Sequence, residues 1–178
     1  MPGVSWQVNN KVRLFAQFGL NGPQHMSYLY TQGFVSLNKY ITVSAGHSFF
    51  QSNGINSFQE HDLIAAVTFS KSFGKLTFED RNMVRMNMID KSAAAYTYRN
   101  RIRVLYPFSV ISHAGSIYLM DEGFYSMNRG LWSRNRVGVG MSYAVFKALN
   151  VDVTYLQQDD GFNGRTNLVF LQLTTNLP

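Results

Sequence analysis

No cysteine occurs in the 178 residues, so a disulfide framework and a thiolate metal site are both excluded. Charge is scarce as well: 15% of the residues are Asp, Glu, Lys or Arg, against roughly 25% in an ordinary soluble protein. Nowhere is there a run of about 18 apolar residues that could make a transmembrane helix, and the mean hydropathy is −0.12. What is present in quantity is apolar and aromatic, 46% and 15%, which excludes a disordered chain. The length predicts a single domain over residues 1–178.

The net charge is +6. A basic protein invites a nucleic-acid or anionic-membrane partner, but the arginines sit singly at alternate positions inside strand-like segments instead of forming a run or tail. No nucleic-acid partner is therefore expected. Met1-Pro2-Gly3-Val4 is not a charged region leading into an apolar one, so the chain is expected to lack a signal peptide and the start of its first strand.

The dominant period is two. Val12, Leu14, Ala16 and Phe18 alternate with Arg13, Phe15 and Gln17, and Leu63, Ala65, Val67 and Phe69 alternate with Asp62, Ile64, Ala66 and Thr68. The pattern predicts about eleven strands, at 4–9, 11–20, 27–38, 40–51, 59–71, 75–86, 95–107, 115–126, 132–145, 149–159 and 165–175. Most exceed the five or six residues of a common strand and suit a tilted bilayer crossing, which needs roughly nine to eleven. Tight turns (Asn9-Asn10, Asn38-Lys39, Ser72-Phe73-Gly74, Phe146-Lys147-Ala148) alternate with longer polar connections (21–26, 52–58, 87–94, 161–164); Pro107 to Ala114 breaks the alternation. The expected fold is all-β, an antiparallel up-and-down transmembrane β-barrel of about 10–12 strands, closed because lipid cannot satisfy an open sheet edge. Eleven is an awkward count for a family of mostly even-numbered barrels. The first segment is accordingly expected to be a partial strand, or to have lost a neighbour upstream.

Arg99, Arg101 and Arg103 share one face of their strand, opposite Tyr98, Ile102 and Val104; Glu79, Arg81 and Arg85 lie opposite Leu76 and Phe78, and Arg134 and Arg136 opposite Val137 and Val139. A lipid-facing arginine at the bilayer midplane costs about 2–4 kcal/mol, so these side chains are expected in the lumen, with Glu60, Asp62, Glu79, Glu122 and Asp152 as partners. Two readings stay open for this lumenal charge network: arginine–carboxylate bracing that fixes the register, and a constriction ring that selects anions. Trp132, Tyr96, Tyr98, Tyr125, Tyr143, Phe124 and Tyr155 are expected on outward faces and at strand ends, as interfacial aromatics.

Gln59-Glu60-His61, the run Tyr98-Arg99-Asn100-Arg101-Ile102-Arg103, Asp121-Glu122-Gly123-Phe124, the stretch from Arg134 to Tyr143 and the stretch from Val151 to Gln158 resemble, in order and spacing, the bacterial outer-membrane barrel family catalogued as domain of unknown function 2490. The resemblance implies a Gram-negative outer-membrane location and no established activity. The ending Thr175-Asn176-Leu177-Pro178 departs from the terminal aromatic common in outer-membrane barrels.

For catalysis the best candidate is Gly46-His47-Ser48 with Ser52-Asn53-Gly54, similar to the His-x-Ser-Asn-Gly stretch of outer-membrane phospholipase. On a strand His47 and Ser48 point to opposite faces, so the expectation is that the chain is not an enzyme. Glu60 and Asp62 lie on the face opposite His61, and His25 and His113 fall in loops without ligand spacing, so no metal or other cofactor is expected. The loop from Asp159 to Gly164 lacks the spacing of a calcium loop. Gly138 and Gly140 are strand glycines that make room for bulky lumenal side chains. The expected role is structural or passive, with a narrow, porin-like, anion-preferring pore as the sharper version. The alternatives are an outer-membrane lipid hydrolase and a soluble β-sandwich or lipocalin-like binder. Expected partners are outer-membrane lipid and small anions; the sequence leaves the oligomeric state open.

Overall fold

The computed structural model describes residues 1–21, 26–52, 57–89, 92–110, 113–161 and 164–177. Eleven strands follow one another: β1 (Pro2–Gln7), β2 (Val12–Asn21), β3 (Met26–Ser36), β4 (Ile41–Ser52), β5 (Phe58–Phe73), β6 (Leu76–Ile89), β7 (Ala95–Val110), β8 (His113–Ser126), β9 (Leu131–Phe146), β10 (Leu149–Asp159) and β11 (Arg165–Leu177). Each pairs antiparallel with its neighbour in sequence, and the sheet closes on itself. No helix occurs among the described residues.

An up-and-down sheet with an odd number of strands brings its first and last strands together running the same way, so the closing pair has to be parallel. That is what joins β1 to β11, from Pro2 opposite Leu173 to Trp6 opposite Leu177. The Met1 amino group extends the seam by donating to the Leu171 carbonyl at 2.6 Å. The first strand is the shortest, as expected of a partial strand, yet it completes the ring. Six residues of β1 close the ring, and the odd count is the number of strands in the barrel.

Local chemistry sets the turns. Asn9 Oδ1 accepts from the backbone N–H groups of Lys11 and Val12, both at 2.9 Å, and Asn38 Oδ1 does the same for Tyr40 and Ile41 at 2.8 and 3.0 Å; these side chains stand in for backbone turn bonds. Gly74 takes a φ of 58°, a left-handed conformation that a side chain would resist. The irregularity expected at 107–114 is also corrected. β7 runs on to Val110 and β8 starts at His113, so this connection is as short as the others at its end of the barrel. Pro107 is tolerated inside β7 because the β6–β7 pairing stops at Thr77 opposite Leu105, leaving no ladder bond on that side for the missing N–H to break.

Alternation decides what faces where. Large apolar side chains are exposed along the outer wall, among them Leu14, Phe18, Leu63, Phe78, Ile102, Leu119, Val139, Tyr155 and Leu171. The buried residues lie inside, in two small apolar clusters: Ile64, Ala66 and Met83 with Tyr30, and Tyr118, Met120 and Leu156 with Leu105, Leu168 and Phe170. A water-soluble sandwich inverts this pattern, with its apolar face between two sheets. The glycines at 138 and 140 serve the lumen as expected. A Cβ on Gly140 would enter the Tyr118 ring, and one on Gly138 would enter Leu156.

Candidate functional site: the arginine wall of the lumen

The register of β6 to β9 stacks cationic side chains across neighbouring strands. Arg81 lies opposite Arg101, Arg101 opposite Glu122, and Glu122 opposite Arg136, so one row of inward positions carries three guanidiniums and one carboxylate. Glu122 is 3% exposed and anchors the group, 3.2 Å from Arg81, 2.8 Å from Arg99 and 3.6 Å from Arg136. One negative charge is shared by three positive ones.

The remaining charges form smaller sets. Arg85 pairs with Glu60 and, at 2.8 Å, with Asp62; Asn87 donates to both acids, and Ser48 donates to Asp62 at 2.5 Å. Arg103 pairs with Glu79 through two nitrogens. Arg134 meets Asp160, a partner that the sequence pattern did not single out. Asp152 stays apart from the arginines: it accepts from Tyr118 Oη at 2.8 Å and from Thr154 Oγ1 at 3.0 Å. Its register opposite Ser142 places it beside Tyr118 instead of Glu122.

Arg101 makes neither an ion pair nor a hydrogen bond among the described residues. The Nε donors of Arg81, Arg85, Arg99 and Arg101 are all buried without a partner. Phe124 is corrected from an interfacial to a lumenal aromatic. It is 7% exposed, and the guanidiniums of Arg99, Arg136 and Arg134 lie 4.5, 4.9 and 5.5 Å from its ring centre, a cation–π platform that holds three like charges side by side. Of the other six, Trp132, Tyr96 and Tyr155 are exposed, while Tyr98, Tyr125 and Tyr143 are half-buried.

Two cavities meet this wall. One of about 710 Å³ opens toward the long connections and is lined by Tyr28, Tyr30, Glu60, Arg85, Arg99 and Arg136. The other, about 770 Å³, opens toward the short turns and is lined by Arg13, Phe34, Glu79, Arg101 and Arg103. Arg81 borders both. Facing it, Tyr30 and Gln32 hydrogen-bond to each other, and Gln32 Nε2 donates to Ser44 at 2.9 Å.

The outer face of the same strands carries residues that sequence reasoning missed. Asn100 Nδ2 donates to Asp80 at 2.6 Å and to Asn82 at 3.2 Å, and Tyr98 Oη donates to Asn82. These side chains alternate with the inward Arg81, Arg99 and Arg101 and so point out of the barrel. The signal was available in the alternation itself, since Asn100 stands between two inward arginines.

The family model described as "Protein of unknown function (DUF2490)" matches residues 2–168. The chain belongs to this family. Two solved structures share the fold. A bacterial polysaccharide outer membrane secretin matches with a TM-score of 0.61 at 9% identity, over 92% of this chain and 63% of its own; the chain therefore spans less than two thirds of that protein. LpxR from Salmonella typhimurium matches with a TM-score of 0.58 at 6% identity, over 95% of this chain and 84% of its own. No curated protein matches in sequence.

The likeness in fold to LpxR corrects the expectation that the chain is not an enzyme. That expectation tested a single Ser/His pair. The pair is indeed separated: Ser48 bonds inward to Asp62, while His47 Nε2 lies 3.1 Å from His61 Nδ1 on the outer face. Separating one pair says nothing of the other side chains of the barrel. Asn53 and Gly54 of the same candidate stretch, His25 and Pro178 lie outside the described residues. His113, expected in a loop, is the first residue of β8.

Proposed function

We propose that this member of the family is a bacterial outer-membrane barrel whose arginine wall binds small anions and passes them in preference to cations. The observation that carries the reading is the charge imbalance at mid-lumen. Arg81, Arg99 and Arg136 share Glu122, and among the described residues Arg101 has no acid partner and the buried Nε donors of Arg81, Arg85, Arg99 and Arg101 have no hydrogen bond. An anion entering from either cavity would supply the missing acceptors and reduce the repulsion among like charges. Bracing is the work of the paired members, Arg85 with Glu60 and Asp62 and Arg103 with Glu79; Arg101 has no such role. The strand lengths and the exposed apolar outer wall support a place in the bilayer, as does the likeness in fold to outer-membrane proteins.

The test is the reversal potential of the reconstituted barrel in a planar bilayer under a potassium chloride gradient. The expected sign is that of chloride preference, and Arg101→Ala is expected to lower the anion-to-cation permeability ratio by about threefold or more, as the loss of one partly desolvated charge implies. Cation preference, or a ratio unmoved by Arg101→Ala, would end the reading. A lipid-directed enzyme is the second reading, supported by the two hydrogen-bonded imidazoles on the outer face, one of which could orient the other as a base. Equal rates of ester hydrolysis in detergent for the wild type and His47→Ala would remove it.

A further inference from the structure

Polar side chains on the outer wall do not stop at Asp80, Asn82 and Asn100. They continue across the register as a streak: Asn82 lies opposite Asn100, Asn100 opposite Gly123, Gly123 opposite Asn135, and Asn135 opposite Asp159. One row nearer the turn end, Asp121 and Gln157 flank Val137. Asn82 is mid-strand in β6, whereas Asp159 ends β10. The streak therefore climbs from the middle of the wall to the loop end, where Arg165 pairs with Asp159 at 3.2 Å.

In hydrocarbon a polar group without a partner costs several kcal/mol. The amides at 82 and 100 meet that cost among themselves. Asp121, Asn135 and Gln157 do not; among the described residues none of them has a hydrogen bond or ion pair. They line an outward groove of about 560 Å³ together with Asn100, Trp132 and Gly123. At Gly123 the missing side chain makes room for an indole. The Trp132 indole lies across it so closely that a Cβ there would come within 2.8 Å of the ring. Trp132 in turn rests edge-on against Tyr125, ring centres 5.5 Å apart, which fixes it as one bank of the groove.

We propose that this groove binds a membrane lipid that carries hydrogen-bond donors, amide N–H or hydroxyl, below its headgroup. The size is that of a small-molecule site, and its run from the loop end to mid-wall follows one lipid standing beside the barrel. The donor requirement comes from Asp121. A carboxylate only accepts, so the ester carbonyls of a diacyl phospholipid leave it unsatisfied, whereas an N-acyl or hydroxylated lipid satisfies it while Asn100, Asn135 and Gln157 supply complementary donors and acceptors. The inference rests on the outer-membrane reading but not on anion passage.

The chain has two tryptophans, so Trp6→Phe leaves Trp132 as the reporter. In vesicles of dibrominated phosphatidylcholine, bromine beside the indole quenches it, and ceramide that displaces the bromolipid restores emission. At Trp132 ceramide is expected to be preferred over phosphatidylcholine by about fivefold, the worth of roughly one net hydrogen bond. In Asp121→Leu/Asn135→Leu, whose new side chains suit lipid and leave folding intact by gel mobility, the preference is expected to fall to about one, because the carboxylate that requires a donor is gone and the remaining amides of Asn100 and Gln157 bond ester carbonyls as readily as amide or hydroxyl groups. Quenching without preference in the wild type would overturn the groove while leaving the barrel in the membrane. No quenching by bromolipid would overturn membrane placement and the groove together. Trp132 shielded in a dimer would assign the streak to a second copy and overturn the lipid.

Discussion

The two halves of the barrel wall differ in kind. Along β2 to β4 the inner face carries one cation, Arg13 over the Phe34 ring near the turns, and otherwise neutral polar groups, Gln17, Gln32 and Ser48, and the outer face is apolar at Leu14, Phe18, Leu29 and Val35. Along β6 to β9 the inner face is crowded with arginines around Glu122, and the outer face is broken by Asn82, Asn100, Asp121 and Asn135. The first half comes closer to the rule that a barrel wall needs, apolar outside and polar inside; its exceptions are Gln17 Nε2, buried without a partner among the described residues, and His47 on the outer face. The second departs from that rule on both faces of the same strands. Such departures cost stability and accumulate where a protein does something other than fold, so both proposed sites fall on one side of the cylinder, back to back.

The sharpest way to break this contrast is Glu122→Gln. Removing the shared carboxylate leaves Arg81, Arg99 and Arg136 facing one another in a buried row, and uncompensated buried charge costs about 3–5 kcal/mol. A urea unfolding midpoint close to that of wild type would mean that water already screens the row. Next in size is Val139→Arg on the outer face of β9, where Leu119 and Tyr155 are the cross-strand neighbours, expected to cost about 2–4 kcal/mol at mid-membrane; in the same titration no loss would mean that this face does not meet lipid. The smallest change belongs to Asn100→Leu, which restores apolar character to the outer wall but takes a donor from Asp80 and Asn82, a net loss of under about 1 kcal/mol. That ordering separates the halves, since Val35→Arg on the plain side lacks any nearby polar group to receive it.

Much of this was legible in the chain. Period two located all eleven strands to within a few residues, because each has one face it must keep apolar, and the same period placed Arg99, Arg101 and Arg103 on one side. What escaped was whatever depends on neighbours that sequence does not order. The parallel seam of β1 on β11 follows from an odd count that looked like an error. Phe124 was taken for an interfacial ring because aromatics favour interfaces, yet its position two residues from Glu122 puts it inside, under three guanidiniums. Asp152 was matched to arginine by charge alone, whereas the register gives it to Tyr118. The outer amides carry no charge and so leave no mark in the charge pattern, although Asn100 stands in the outward phase of the same run.

The orientation of β7 is the proposition on which both sites depend, and the absence of native cysteine allows it to be measured directly. Single cysteines at positions 98 to 104, spin-labelled in a lipid bilayer, are to be compared for collision with oxygen, which concentrates in lipid, and with a water-soluble nickel chelate. Oxygen access is predicted to peak at 98, 102 and 104 and chelate access at 99, 101 and 103. A flat profile, or one with the two phases exchanged, would contradict the account.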